Sequence, residues 1–356
     1  MYNFLVDSTL TISDAISKLK AKVGGIDLPL GLQDKLTENF SQLEVNSRSE
    51  TTFWSYYQTL SKYIDWILAL PWNTRSEDIL DIRYAKEKLD ENHYGLSEVK
   101  ERILEYISVL ALQKNRSPDI VPRAPILLFV GLVGTGKTTM AKSIADVMGR
   151  KLIRIPFGGL GDPLYLRGQS RLHPEAEPGA IIRGLAQCQT KNPVILLDEI
   201  DRVADDSLNT IMGILVELLD PEQNARFTDH YLDYPFDLSE AFFVATCNNT
   251  SRIATAVMDR LEIIQMPSYT DEEKIAIGRD YLLPQALKEN GLTGEELKID
   301  QNIWLNIVRP LGFDAGVRTL KRNIEGLCRK SAALILSGTK QIIIDETNIK
   351  KFIPQW

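Results

Sequence analysis

No run of about eighteen uncharged apolar residues occurs in the 356-residue chain, which excludes a hydrophobic membrane-spanning helix. The N-terminal stretch MYNFLVDSTLT lacks a basic region followed by a small-residue cleavage site, so no secretory leader is expected there. Cysteine is scarce: Cys188, Cys247 and Cys328 lie far apart and form no CxxC or zinc spacing. They read as core residues of a protein kept in a reducing compartment, and a cytoplasmic location is the expectation. His93, His173 and His230 are equally scattered and assemble no HExxH motif or metal triad. Basic excess is also missing, since net charge is −7 and the pI about 5.3, which argues against a dominant nucleic-acid surface. The local cluster Lys321, Arg322, Arg329 and Lys330 reads as a solvated helix face, with nucleic-acid binding an unsupported alternative.

What the chain does have is apolar residues, 44% of the total, enough for one large core and at least one smaller one. Strand-like and helix-like segments alternate through its middle, the pattern of a parallel α/β sheet. The most informative stretch is Ile126–Thr138. The apolar run ILLFV makes a buried strand, and Gly131-Leu-Val-Gly134-Thr135-Gly136-Lys137-Thr138 follows it. Glycines let backbone N–H groups wrap a phosphate, and the helix opening at Lys137 points its positive dipole end at it. This is the P-loop pattern. Lys137 is expected on the β- and γ-phosphates, the Thr138 hydroxyl on a bridging Mg²⁺, and Thr139 in the same nucleotide-binding turn. ATP and Mg²⁺ are the cofactors this predicts.

About sixty residues on, Val194-Ile-Leu-Leu-Asp198-Glu199 reads as a central strand delivering two acids to the ligand edge of the sheet. Asp198 suits the metal shell and Glu199 the attacking water. Ala241–Thr246 is a further buried strand, ending in Cys247-Asn248-Asn249; Asn248 either orients water near the γ-phosphate or turns the chain. Arg260, just before the strand Leu261–Met266, has two readings, a salt bridge or a finger acting on a neighbouring subunit.

Flanking this core, residues 1–70 read as helices: Leu10, Ile12, Ile16 and Leu19 keep a helical period, and a longer pattern runs from about Gln33 to Leu70. Its aromatic stripe, Phe53, Trp54, Tyr56, Tyr57, Tyr63 and Trp66, reads as core rather than as a base-stacking platform. Helices from Asp78 and from Ser97 to Gln113 are separated by the turn His93-Tyr94-Gly95, and Ser117–Arg123, with Pro118 and Pro122, reads as a linker. After Pro267, Thr270-Asp-Glu-Glu273 opens a capping box, and everything to Leu336 except turns reads helical, followed by a short strand Ile342–Ile344. The expected division is 1–75, a helical region; 76–268, the α/β unit; and 269–356, an α-helical lid.

Together these features resemble the AAA+ class of ATPases, and more closely the ATPase portion of Lon proteases. The resemblance runs from about Tyr63 to the C-terminus on the motifs IDWILALPW, HYGL, LLDEID, LLDPEQN, FTDHYLDYPFDLS, FVATCNN, YTDEEK, YLLPQALKENGL and AGVRTLKRNI. It implies Lys137 and Thr138 as Walker A, Asp198 and Glu199 as Walker B, Asn248 as sensor 1, Arg260 as the trans-acting arginine finger, and Arg318 as sensor 2. Tyr94 and Gly95 match the turn beside the adenine. The resemblance further implies a homo-oligomeric ring, expected as a hexamer, acting on a protein substrate or partner.

Two departures from the family pattern stand out. The chain reaches Trp356 with no GPSAG-like serine motif, so no peptidase activity is expected of these residues, and a separate peptidase is a candidate partner. In the substrate-gripping loop, where relatives read roughly IRGHRRTYIGAMPG, this chain has LRGQSRLHPEAEPG, placing His173 and Pro174 where Tyr and Ile are expected. The main expectation is an ATP-hydrolysing ring that remodels protein. The alternative is an ATP-switched scaffold, binding protein or DNA through residues 1–70 with little threading.

Overall fold

The computed structural model describes residues 11–116, 125–173, 175–309 and 316–353. Leu10, the Ser117–Arg123 linker, Pro174 and Trp356 therefore lie outside the described residues. Nine strands form among them: β1 Ile126–Val130, β2 Leu152–Pro156, β3 Val194–Asp198, β4 Phe227–Thr228, β5 Pro235–Phe236, β6 Phe242–Cys247, β7 Leu261–Gln265, β8 Leu297–Ile299 and β9 Ile342–Ile344.

Five of them make an all-parallel sheet in the order β2-β3-β6-β1-β7. Every residue of β1, β3 and β6 is buried, as expected of strands covered on both faces. The period of two assigns their side chains to two layers. Leu128, Ile195, Leu197, Phe243 and Ala245 face one core with the helices Ala180–Cys188 and Leu208–Leu218. Leu127, Phe129, Leu196 and Val244 face the other, with Ile82–Asn92, Ser97–Arg116 and Lys137–Met148. The chain leaves β1 for the far edge and returns through β3 to β6, so the C-terminal ends of β1, β6 and β3 frame a switch-point crevice.

The N-terminal helices Ile12–Val23, Leu30–Asn46 and Glu50–Ala69 pack on the first of these layers. The single pattern expected from Gln33 to Leu70 is two helices, because Asn46, Ser47 and Ser49 put polar turn-formers where apolar positions would continue. Within the aromatic stripe, Phe53 and Tyr63 have no exposed surface, and Trp54, Tyr56, Tyr57 and Trp66 are partly buried against the same core.

The lid opens with the expected capping box, in which the Thr270 side chain accepts from Glu273 N and the Glu273 side chain from Thr270 N. Its last long helix is Arg318–Leu336. The helical reading of the lid fails at Leu297–Ile299, which pairs in parallel with Ile342–Ile344. Only three residues long, this strand is specified by a distant partner rather than by any local period. The basic cluster of the last helix is a solvated face: Lys321 and Arg329 lie 3.9 and 3.8 Å from Glu325, one turn away on either side.

Candidate nucleotide site

The turn after β1 needs glycine twice. Gly134 and Gly136 sit at φ +83° and +96°, conformations that L side chains rarely adopt, and they aim the chain into the helix that starts at Lys137. Gly131 serves packing instead: a Cβ there would lie 2.6 Å from the Met266 carbonyl. Lys137 is mostly buried, and its Nζ donates to the carbonyls of Gly131 (2.6 Å) and Leu132 (2.9 Å) and to Asn248 Oδ1 (3.0 Å). Burial lowers its pKa from the usual lysine value, against the pull of the neighbouring acids.

Because β6 lies between β1 and β3, the ends of all three strands converge. Thr138 Oγ1 is 3.2 Å from Asp198 Oδ1, which also accepts a 2.6 Å hydrogen bond from Thr246. Asp198 Oδ2 pairs with Arg154 of β2 at 2.6 Å. Glu199 follows in the left-handed region, φ 60° and ψ 50°, with its N–H donating to Thr246 Oγ1 at 2.9 Å. That conformation is uncommon outside glycine and throws the Glu199 side chain off the line of the strand. Asp201 accepts from the backbone N–H groups of Asn248 (3.0 Å) and Asn249 (3.1 Å), fixing the turn that presents Asn248.

A cavity of about 520 Å³ opens here. Of the residues expected from sequence, Tyr94, Gly134, Gly136, Lys137, Thr138, Thr139, Asp198, Glu199, Asn248 and Arg318 line it. Gly95, Gly131 and Thr135 do not. Gly95, at φ +62°, makes the turn after Tyr94, and Thr135 is fully buried with its hydroxyl on the Leu132 carbonyl. Arg260 also lies outside the cavity lining: Nη2 donates to Asp220 at 2.9 Å and Nη1 to the Ala256 carbonyl at 2.6 Å. The lid closes directly on the glycine turn, with Val317 N donating to the Gly134 carbonyl at 3.0 Å and no room for a Cβ on Gly316, 2.5 Å from Gly134 C.

The donor set fits a magnesium nucleotide. Two glycines in left-handed conformations form a cradle, a hydroxyl and a carboxylate stand together, and Asn248 Nδ2 is buried without a hydrogen-bond partner among the described residues. Sequence reading missed Arg154, Asp201, Thr246 and the aromatic Tyr281, which packs edge-on to Tyr94 at 6.3 Å. Asp201 was the most accessible of these, as a third acid in the run Asp198-Glu199-Ile200-Asp201. Cys247 and Cys328 are fully buried, burial raising their thiols to about 12 and about 11, while Cys188 is half-buried.

Residues 127–269 match the AAA family, ATPases associated with various cellular activities, and residues 288–344 match the Lon protease AAA+ ATPase lid domain. The chain is 41% identical over 348 residues to Lon protease 2 of Thermus thermophilus, covering 95% of this chain and 42% of that protein. It is 47% identical over 292 residues to the Lon protease of Lawsonia intracellularis, covering 82% of this chain and 34% of that one. Against Lon protease 1 of Bacillus subtilis the identity is 44% over 295 residues, with 83% and 37% covered. The chain thus spans less than half the length of these curated relatives. A parallel sheet with a P-loop at its switch point, closed by a Lon-type lid, places this chain in the AAA+ ATPase module of the Lon protease family.

Proposed function

We propose that this chain hydrolyses ATP within a homo-oligomeric ring, a hexamer, and uses the cycle to remodel or unfold protein partners. The observation carrying this reading is the convergence of Lys137, Thr138, Asp198, Glu199 and Asn248 on one cavity beneath the lid residue Arg318. Lys137, already desolvated, neutralises the β- and γ-phosphates; Thr138 and Asp198 hold Mg²⁺, which when bound supplies charge neutralisation at the phosphates. Glu199 takes a proton from the attacking water, and Asn248 orients that water through its amide. Arg318 brings the lid's charge to the same phosphates, and Tyr94 borders the base. Arg260, which does not line its own chain's cavity and is bonded to Asp220, is assigned to the neighbouring subunit's site, which is the reason for a ring.

The units 1–75, 76–268 and 269–356 serve as helical support, ATPase core and lid. ATP hydrolysis alone is assigned to these 356 residues, since no serine or cysteine in a recognisable nucleophile motif accompanies the site. Purified protein should show magnesium-dependent ATP turnover that rises when an unfolded protein such as casein is added. Turnover indifferent to unfolded protein would leave an ATPase but remove the remodelling part of the reading.

A further inference from the structure

The loop between Gly168 and Gly179 leaves and re-enters the α/β unit through two glycines in contact. A Cβ on Gly168, at φ +73°, would lie 2.7 Å from Asp229 Oδ1 and 2.8 Å from Gly179 N; one on Gly179 would lie 2.1 Å from the Leu166 carbonyl. Both roots close on Asp229, a carboxylate with no exposed surface. Its Oδ1 accepts from Tyr231 N (2.8 Å) and Leu232 N (3.1 Å), which shape the tip of the β4–β5 hairpin. Its Oδ2 accepts from Gly179 N at 2.7 Å. A turn-forming Asp needs only the first pair, and stays at the surface to keep its charge solvated. The third bond reaches fifty residues back, and His230 N adds a 2.7 Å bond to the Arg167 carbonyl beside the other root.

The hairpin is itself tied to the N-terminal helix Glu50–Ala69, where buried Tyr63 donates its hydroxyl proton to the Leu232 carbonyl at 3.0 Å. The loop touches the same helix independently. The Arg171 guanidinium lies 3.7 Å over the Tyr63 ring, and Lys62 Nζ donates to the Ala176 carbonyl at 3.0 Å. Beyond these anchors Leu172 is 92% exposed, an apolar side chain left almost wholly at the surface among the described residues.

We infer that Asp229 is a positioning residue for this loop: by joining its Gly179 root to the hairpin, and through Tyr63 to the N-terminal helix, it makes loop and helix one mechanical unit. A polypeptide engaged by the Leu172 tip is then pulled against the N-terminal helices instead of against a slack segment. This rests on the proposal that the chain remodels polypeptide.

Asp229→Asn separates the two functions of the carboxylate. Its single amide oxygen can keep the Tyr231 and Leu232 bonds, which sets its NH₂ group facing the Gly179 N–H, donor against donor. In the full chain this variant should be cleaved by trypsin after Arg171 about tenfold faster than wild type. Amide exchange should accelerate similarly at Gly179 and not at Tyr231 or Leu232. Basal ATPase should stay within about twofold, while stimulation by unfolded casein is lost. Unchanged cleavage and exchange would overturn the anchor. Faster cleavage with stimulation intact would overturn the mechanical coupling. If wild type shows no stimulation at all, the remodelling reading fails and the coupling with it, while the proteolysis and exchange arms still decide the anchor. Tyr63→Phe keeps the ring under Arg171 and removes only the bond to Leu232, so it carries the test should Asp229→Asn fold poorly; no change in cleavage after Arg171 in a soluble Tyr63→Phe variant would count against the proposal.

Discussion

Thr246 holds the two acids at the end of β3 in one arrangement, its hydroxyl donating to Asp198 Oδ1 at 2.6 Å and accepting from Glu199 N at 2.9 Å. One fully buried side chain thereby sets both the direction of the Asp198 carboxylate and the left-handed backbone of Glu199. Thr246→Val preserves shape but offers neither bond. If Asp198 holds the metal as proposed, this should lower turnover about tenfold to a hundredfold, the usual cost of losing a group that orients a ligating carboxylate. Thr246→Ser should recover most of it. Steady-state ATPase on both variants checks this, and a Val variant at wild-type rate would remove Thr246 from the site.

Lys137 and Glu199 should fail differently. If Lys137 neutralises the phosphates as proposed, Lys137→Ala removes that charge and nucleotide binding itself should collapse. Glu199→Gln keeps size and polarity but cannot accept the water's proton, so it should bind ATP and stall. A fluorescent ATP analogue reads binding and phosphate release reads turnover. Glu199→Gln hydrolysing at the wild-type rate would sink the assignment of Glu199.

Arg260 lies outside its own chain's cavity lining, paired with Asp220 at 2.9 Å. If its target is a neighbour's nucleotide, Arg260→Ala should abolish turnover with nucleotide affinity nearly unchanged. Mixing it with Glu199→Gln subunits should restore part of the activity, because some interfaces then join an intact Glu199 to an intact Arg260. Mixed rings that form yet never regain turnover at any ratio would assign Arg260 to the salt bridge alone.

The sheet was legible because β1, β3 and β6 are covered on both faces and so read as unbroken apolar runs. The glycine turn, the paired acids and the Thr270 capping box were legible for a related reason, that each is specified by residues adjacent in the chain. Arg154 was not. It is two residues short of Pro156, which registers with Asp198 across the β2–β3 pairing, and only that register brings its guanidinium to the acid. Leu297–Ile299 and Asp229 failed to show for the same cause, since their partners, Ile342–Ile344 and Gly179, are about fifty residues away. Local pattern revealed what local pattern specifies, and the groups that orient the site come from strand pairing.

His93 gives the last prediction, linking the nucleotide turn to pH. It is 7% exposed, precedes Tyr94 of the cavity, and has Nε2 2.9 Å from the Ser143 hydroxyl on the helix that opens with Lys137. Lys100 Nζ donates to the His93 carbonyl at 2.6 Å. Burial, and secondarily the Lys100 charge, push the imidazole from 6.5 down to about 4. The folded protein therefore keeps His93 neutral while the unfolded chain takes up a proton on acidification through 6.5. Stability should be unaffected by this group above that pH, fall as pH drops from 6.5, and level off below about 4, by about 3 kcal/mol in all. His93→Gln can keep a hydrogen bond to Ser143 and cannot titrate. Urea unfolding midpoints of the two proteins at pH 7, 6 and 5 isolate the imidazole from the carboxylates, which titrate alike in both. The variant should lose less stability over that range, and its nucleotide affinity should vary less with pH if the His93–Ser143 contact holds Tyr94 at the cavity. Parallel curves for the two proteins would mean that His93 is hydrated or charged in the folded state, and that the turn beside the cavity is held by other contacts.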